Sequence, residues 1–233
     1  MPDLRRNDLA QYDDLADQWW EASGGFAALH WLAASRAEHI PPAPGPDAVL
    51  VDLACGGGLM APHAALLGYH HVGVDLGVPG LRVAREHGVL VLRGSVLAVP
   101  LADGCADVVV AGEILEHVED DVGVLAECAR LLRPGGTLVI DTLAATRIGR
   151  FLTTTVAERL PGGPPPGIHD PALLVDRAAL VRECARHGVE LVLRGIRPSV
   201  LDLVKWLSGR ADVVRMVPVP TSAVLFQAVG SRR

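Results

Sequence analysis

Residues 48–68 read AVLVDLACGGGLMAPHAALLG, and the three glycines in the middle constrain the fold more than anything else in the chain. The seven residues before them form a short, mostly apolar run, and those after them have helical spacing. A strand that enters a helix through Gly56, Gly57 and Gly58 brings bare backbone N–H groups and a helix N-terminus to one point, where a ligand can approach closely. The downstream sequence keeps this rhythm. HHVGVDL (70–76) reads as a strand, VPGLRVAREHG (78–88) as a helix and VLVLRG (89–94) as a strand. CADVVVAG (105–112) follows as a strand, then the helix DVGVLAECARLL (121–132) closed by RPGG, then the strand TLVIDTL (137–143). Strands and helices alternating at these lengths predict an α/β, doubly wound, mostly parallel sheet, with its ligand crevice at the turn after the first strand.

Two segments stand outside the alternation. Upstream, Leu9, Tyr12, Leu15, Ala16, Trp19 and Trp20 recur with a helical period, and a second helix over about 26–40 ends at PPAPGPD. Five of the nine aromatic residues lie in the first 31 positions, so residues 1–46 are expected to form a helical lid on a main domain of 47–233. Residues 143–176 read as a helix and a Gly/Pro hinge, and are expected to cap the site after the fifth strand. A helix near 178–187 and strands at 189–196 and 222–230 complete the pattern.

Composition excludes several classes. A net charge of −6 disfavours a nucleic-acid binder, which needs a basic surface. Cys55, Cys105, Cys128 and Cys184 are widely spaced, with no Cys-x-x-Cys pair to suggest a disulfide framework or structural zinc. With no apolar leader and no long uncharged apolar run, a cytosolic location is expected.

The glycine loop fits two cofactor classes. Gly56, Gly58 and Ala61 satisfy the dinucleotide pattern G-x-G-x-x-G/A, with Asp75 at a suitable distance for a ribose. Three features favour S-adenosylmethionine. Asp52 lies inside the first strand, where a carboxylate can receive the amino group of the methionine part. Asp75 ends the second strand, where both ribose hydroxyls can donate to it. LLRPGG (131–136) feeds a later strand. Together these resemble class I S-adenosylmethionine-dependent methyltransferases. YDDLADQWWEASGGFAALHWLAASR, GEILEHV and GIHD further resemble the UbiG family, the O-methyltransferases of ubiquinone biosynthesis, over nearly the whole chain to about Asp176.

This resemblance implies cofactor contacts at Arg36, Asp52, Ala54, Gly56, Gly58, Asp75, Leu76, Ser95, Val96 and Gly112. Arg36 would meet the methionine carboxylate, and Val96 N–H the adenine, because Ser95 replaces the family's acidic residue. Ala54 stands where the family has Gly, and is tolerated if its φ is negative. Ala144 and Ala145 replace a usual Asn-Arg, consistent with a shifted acceptor. The resemblance also implies that Glu113, Glu116 and His117, at i, i+3 and i+4 of a helix start, bind a divalent metal (Mg²⁺, Zn²⁺ or Mn²⁺) that chelates a small aromatic, catechol-type acceptor. Two other readings of these residues remain. His117, oriented by Glu113 or Glu116, could be a general base without metal. The acidic cluster could also simply favour the positive end of a helix. His169-Asp170 reads as the cap of a following helix rather than a support for the site. His30, Trp19 and Trp20 fit either the acceptor pocket or core packing. Arg147, Arg150 and Arg159 flank Ile148, Phe151, Leu152 and Val156, a pattern that suits peripheral membrane contact.

Overall fold

The computed structural model describes residues 7, 8, 10–159 and 164–233. Its centre is one sheet of eight strands: β1 (Val49–Leu53), β2 (His70–Asp75), β3 (Leu90–Arg93), β4 (Ala106–Gly112), β5 (Leu132–Leu143), β6 (Val189–Pro198), β7 (Met216–Val219) and β8 (Leu225–Arg232). Their spatial order is β3-β2-β1-β4-β5-β8-β6-β7. The first five are parallel, while β8 runs antiparallel between β5 and β6, and β7 pairs antiparallel with β6. The doubly wound, mostly parallel sheet expected from the sequence is therefore present. Strand order reverses between β1 and β4, which opens a crevice at their carboxyl ends.

Side chains alternate across each strand, so the sheet has two cores. Val51, Leu53, Val109, Ala111, Leu138 and Ile140 pack beneath α5 (Asp121–Leu131) and α7 (Arg177–Arg186). Leu50, Val108, Val110 and Val139 face the other way, towards α2 (Ala27–Ala37) and α3 (Ala61–Leu67). At the strand ends this second face turns polar: Asp52, Gly112 and Asp141 continue it. The apolar stripe holds the layers together, and the polar ends furnish the crevice.

The N-terminal segment packs into that second core through Trp19 and Phe26. It contains less regular helix than its periodicity predicts, namely α1 (Ala10–Asp14) and a single 3₁₀ turn at Ala16–Gln18. Leu9, the first residue of the expected helix, lies outside the described residues. Between β2 and β3 runs α4 (Val78–Glu86). After β5, α6 (Arg147–Phe151) continues into a wide π turn at Leu152–Val156 and a 3₁₀ turn at Ala157–Arg159. The chain then returns to the sheet, where Ala145 N donates to Val175 O at 2.8 Å. Two elements were not anticipated, α8 (Val200–Leu207) and the edge strand β7. Leu203 and Trp206 of α8 pack on Trp31 and Val214, while Val200, Leu201, Val204 and Leu207 are exposed. Among the described residues no helix is long and apolar enough to cross a membrane.

Phe26 is 1% exposed, and Leu66, on the outer side of α3, is 86% exposed. Phe26→Ala should lose about 3–5 kcal/mol of stability, and Leu66→Ala should stay within about 0.5 kcal/mol of the parent. Urea unfolding of the two variants measures both.

Candidate functional site

The ends of β1, β2 and β4 and the N-terminal segment enclose a cavity of about 520 Å³. Every residue assigned to the site from the sequence lines it except Gly58 and Glu116. Gly58 has φ +77, and a Cβ there would lie 2.9 Å from both Ala84 Cβ and Val89 Cγ2. Gly58 lets the loop pack closely on α4 and Val89, and it does not line the cavity.

Asp52 turns into the cavity from the end of β1. Behind it, His71 Nε2 lies 3.3 Å from Asp52 Oδ2, and both side chains are buried. Asp75 ties two turns together: Oδ2 accepts from Gly56 N at 2.8 Å and Oδ1 from Gly77 N at 2.7 Å. Burial raises the Asp75 pKa, and these backbone donors offset the rise. Each oxygen keeps a further lone pair for a donor from the cavity. Ser95 Oγ accepts from Leu97 N at 3.2 Å, so this residue shapes its own turn. Ala54 has φ +56, contrary to the expectation of a negative value. The chain reverses there in a geometry that disfavours a Cβ by about 1–2 kcal/mol.

Arg36 reaches across β4 to Asp141 in a two-pronged, buried ion pair, with Nε to Oδ2 and Nη2 to Oδ1 both 2.8 Å. Any side chain at Gly112 would collide with this guanidinium, which is why β4 ends in glycine. Burial works against the charge on Arg36, and Asp141 raises its pKa regardless. Arg36 is thus a buried, paired cation rather than an exposed charge on the surface of α2.

The Glu-x-x-Glu-His segment is not the start of an α-helix. Glu113 has φ +51, which breaks helical geometry. Leu115–His117 forms one 3₁₀ turn, and α5 begins only at Asp121, capped by Asp120 Oδ1 accepting from Gly123 N at 2.8 Å. Glu116 is fully buried and Glu113, half-buried, borders the cavity, and the two carboxyls are close enough to influence each other's protonation. Burial and mutual repulsion raise the Glu113 pKa; burial raises that of Glu116. Glu116 Oε2 accepts from Thr142 Oγ1 at 2.8 Å, whereas neither Oε1 meets an N–H or hydroxyl donor. His117 Nδ1 lies 2.7 Å from Asn7 Oδ1, whose Nδ2 donates to His117 O at 3.0 Å. An amide oxygen only accepts, so Nδ1 bears the proton and Nε2 the lone pair. Burial, with His169 nearby, pulls the His117 pKa down to about 3.

His169 corrects the sequence reading. No helix follows it. Asp170 Oδ1 accepts from Ala172 N in a local turn, and His169 is buried with its ring 5.4 Å from that of His117. Ligand atoms of Glu116, His117 and His169 fall within 4.8 Å of one another; Glu113 is not part of this cluster. The structure thus brings a carboxylate and two imidazoles together, two of the three from the expected Glu113-Glu116-His117 set. His30 and Trp20 do not reach the cavity. His30 Nε2 bonds Trp19 O at 2.7 Å, and Trp20 donates to Gly57 O at 2.9 Å and stacks on His87. Trp19 lines the cavity and is also buried in the core. Sequence reasoning missed Asn7, Tyr12, His71, Thr142 and Asp141, whose proximity arises only through the tertiary fold.

A doubly wound sheet with this cavity at its switch point is the framework of a class I S-adenosylmethionine-dependent methyltransferase, and residues 51–140 match the family model described as a methyltransferase domain. Among curated proteins, the ubiquinone biosynthesis O-methyltransferase of Albidiferax ferrireducens is 33% identical over 220 residues, covering 88% of this chain and 86% of that one. The enzyme of the same name from Burkholderia pseudomallei is 34% identical, covering 91% and 95%. The chain belongs to this family and is an S-adenosylmethionine-dependent O-methyltransferase. Solved structures agree on the fold alone. A methyltransferase from Thermotoga maritima superposes with a TM-score of 0.66 at 18% identity, covering 96% of this chain and 97% of its own. A TehB-like methyltransferase from Corynebacterium glutamicum gives 0.60 at 17%, covering 96% and 99%.

Two outcomes test the site's physics. Ala54→Gly should gain about 1 kcal/mol, the relief of the left-handed residue less the added freedom of the unfolded chain; thermal unfolding measures it. In metal-free protein the Glu113–Glu116 pair binds protons more tightly folded than unfolded. Its contribution is therefore complete at acid pH and fades as pH rises above the ordinary glutamate range near 4.5. His117 acts oppositely, since its folded pKa is depressed and its stability is lost as pH falls below about 6.5. Urea midpoints across pH should show both slopes. Glu116→Gln should flatten the alkaline one.

Proposed function

We propose that the methyl acceptor is a small aromatic compound with a phenolic or catechol-type hydroxyl, bound beside Glu113, Glu116 and His117. The observation that carries this is the acid pair with a neutral imidazole next to the cofactor cavity in a chain of this family. Asp52, with one oxygen on His71, is suited to the cofactor's ammonium group. Arg36 spends two of its five N–H groups on Asp141 and keeps donors for the carboxylate. Asp75 accepts the ribose hydroxyls, and Val96 N–H lies on the adenine side. The cofactor supplies a sulfonium-activated methyl group. The residues around it must desolvate the acceptor, point its oxygen in line with that methyl, and remove one proton.

The family's divalent metal fits the donors present. Two buried carboxyl oxygens lack an N–H or hydroxyl partner, and Arg36, the nearby cation, is committed to Asp141. Glu116, His117 and His169 would hold the ion. One oxygen and two nitrogens suit Zn²⁺ or Mn²⁺ better than Mg²⁺, which prefers oxygen throughout. Bound there, the ion would lower the acceptor's pKa. A second reading rests on the fixed tautomer of His117, whose Nε2 lone pair is available as a general base. The charge balance argues against a nucleic-acid partner and the sequence favours a cytosolic location. Exposed Ile148 and Phe151 beside Arg147 and Arg150 suit a peripheral lipid contact.

Methyl transfer to catechol, on protein stripped with chelator and then resupplied with Zn²⁺, Mn²⁺ or Mg²⁺, separates the two readings. Loss and return of activity support the metal, with His169→Ala weakening metal affinity; activity indifferent to chelation favours His117 as base. No transfer to any phenol would overturn the function. Asp52→Asn should raise the KM for S-adenosylmethionine roughly 10- to 100-fold, the worth of one charge-assisted hydrogen bond.

A further inference from the structure

The roof of the cavity is itself a phenol. Tyr12 projects from α1, its ring nearly parallel to Trp19 (centroids 6.0 Å apart, planes at 14°) and Phe26 (5.9 Å, 12°), and edge-on to His117 (6.1 Å, 90°). Its hydroxyl lies 3.5 Å from His117 Nε2. Because Nδ1 carries the imidazole proton, Tyr12 donates and Nε2 accepts. An aromatic ring with one hydroxyl thus lies between a flat apolar wall and the groups available to take a phenolic proton. The mounting is slight, since α1 is five residues long and buries none of them.

We propose that the space filled by the Tyr12 ring is the subsite for the acceptor's aromatic ring, and that the acceptor enters by displacing Tyr12. The ligand class is a hydroxylated aryl ring, lying against Trp19 and Phe26 with its hydroxyl towards His117 Nε2. This rests on the reading of a phenolic acceptor with His117 as its base, Nε2 being free of metal, and adds where that acceptor binds and what it replaces. It also explains why a tyrosine in the roof is hydrogen-bonded to a buried imidazole when the neighbouring aromatic positions, Trp19 and Phe26, serve by packing alone. The hydrogen bond holds the empty site closed, and an acceptor hydroxyl makes the same bond.

The test reads binding, apart from turnover. Tyr12→Ala should leave a hole that p-cresol, the tyrosine side chain freed of its backbone, fills. Added p-cresol should raise the Tm of this variant saturably and leave the parent unchanged, with toluene weaker for want of the hydroxyl. A folded Tyr12→Ala protein indifferent to p-cresol would overturn the subsite. In the parent, catechol binding should speed hydrogen exchange at the amides of residues 10–20 as the roof lifts; slowed exchange there would mean the segment closes over the acceptor and would overturn displacement. This second measurement decides the matter if Tyr12→Ala does not fold. In Tyr12→Phe the ring remains but its hydrogen bond is gone, so the KM for catechol should fall roughly 2- to 10-fold; a rise would count against the proposal. If no phenol is methylated while p-cresol still stabilises Tyr12→Ala, the functional reading fails and the subsite stands.

Discussion

The buried ion pair between Arg36 and Asp141 fixes the relation between the N-terminal segment and the sheet. Its two 2.8 Å bonds cross the end of β4 and bind α2 to β5, one strand beyond the switch point of the strand order. Removing either partner would strand a charge out of water, at about 3–5 kcal/mol. That sets α2 in one position, and Phe26 and Trp19, just before α2, are set with it. The ring stack of Phe26, Trp19 and Tyr12 follows from a contact made ten residues downstream.

The same pair shapes the electrostatics of the crevice. Arg36 is neutralised by Asp141, so Glu113 and Glu116 gain little from its charge, and burial raises the pKa of both. A neutral His117 cannot neutralise them either. Unrelieved acidity in an enclosed space is unfavourable to folding, and sites that perform chemistry tolerate such conditions. The left-handed backbone at Glu113 belongs to the same pattern: it aims the carboxyl into the cavity where helical geometry would have carried it away.

Much of the fold was legible because strands and helices leave periodic apolar signatures, and each of the first five strands appears within a few residues of its expected place. Legibility fails where local pattern yields to tertiary geometry. The i, i+3, i+4 spacing of Glu113, Glu116 and His117 reads as one helical face, but a positive φ at Glu113 breaks the helix before it forms. His169 lies 52 residues from His117 in the chain, and nothing local tells a capping pair from a residue brought back over the site. Beyond Arg177 the helix α7 and the strands β6 and β8 lie where the sequence put them, and only α8 and β7 between those strands were missed. α8 is amphipathic in its spacing, yet four of its apolar residues, Val200, Leu201, Val204 and Leu207, face solvent, so the helix joins the core only through Leu203 and Trp206. Gly58 looked like a ligand-facing glycine because the G-x-G spacing reports close approach without saying of what. In this loop the approaching group is α4.

The crowding of aromatics into the first 31 residues then has a physical reason. A site for a flat, hydroxylated ring needs a flat wall that excludes water and a polar group at its edge. Trp19 and Phe26, stacked with centroids 4.1 Å apart, provide such a wall, and His117 stands at right angles to the Tyr12 ring beside it. Asn7 holds His117 from the same N-terminal segment, bonding both its ring and its carbonyl, so one segment carries the roof and orients the imidazole beneath it. Movement of residues 10–20 would uncover the site and, through Asn7, loosen the group that is to receive the proton. Entry of the acceptor and the readiness of His117 are therefore mechanically linked, a coupling that a wall of packing residues alone would lack.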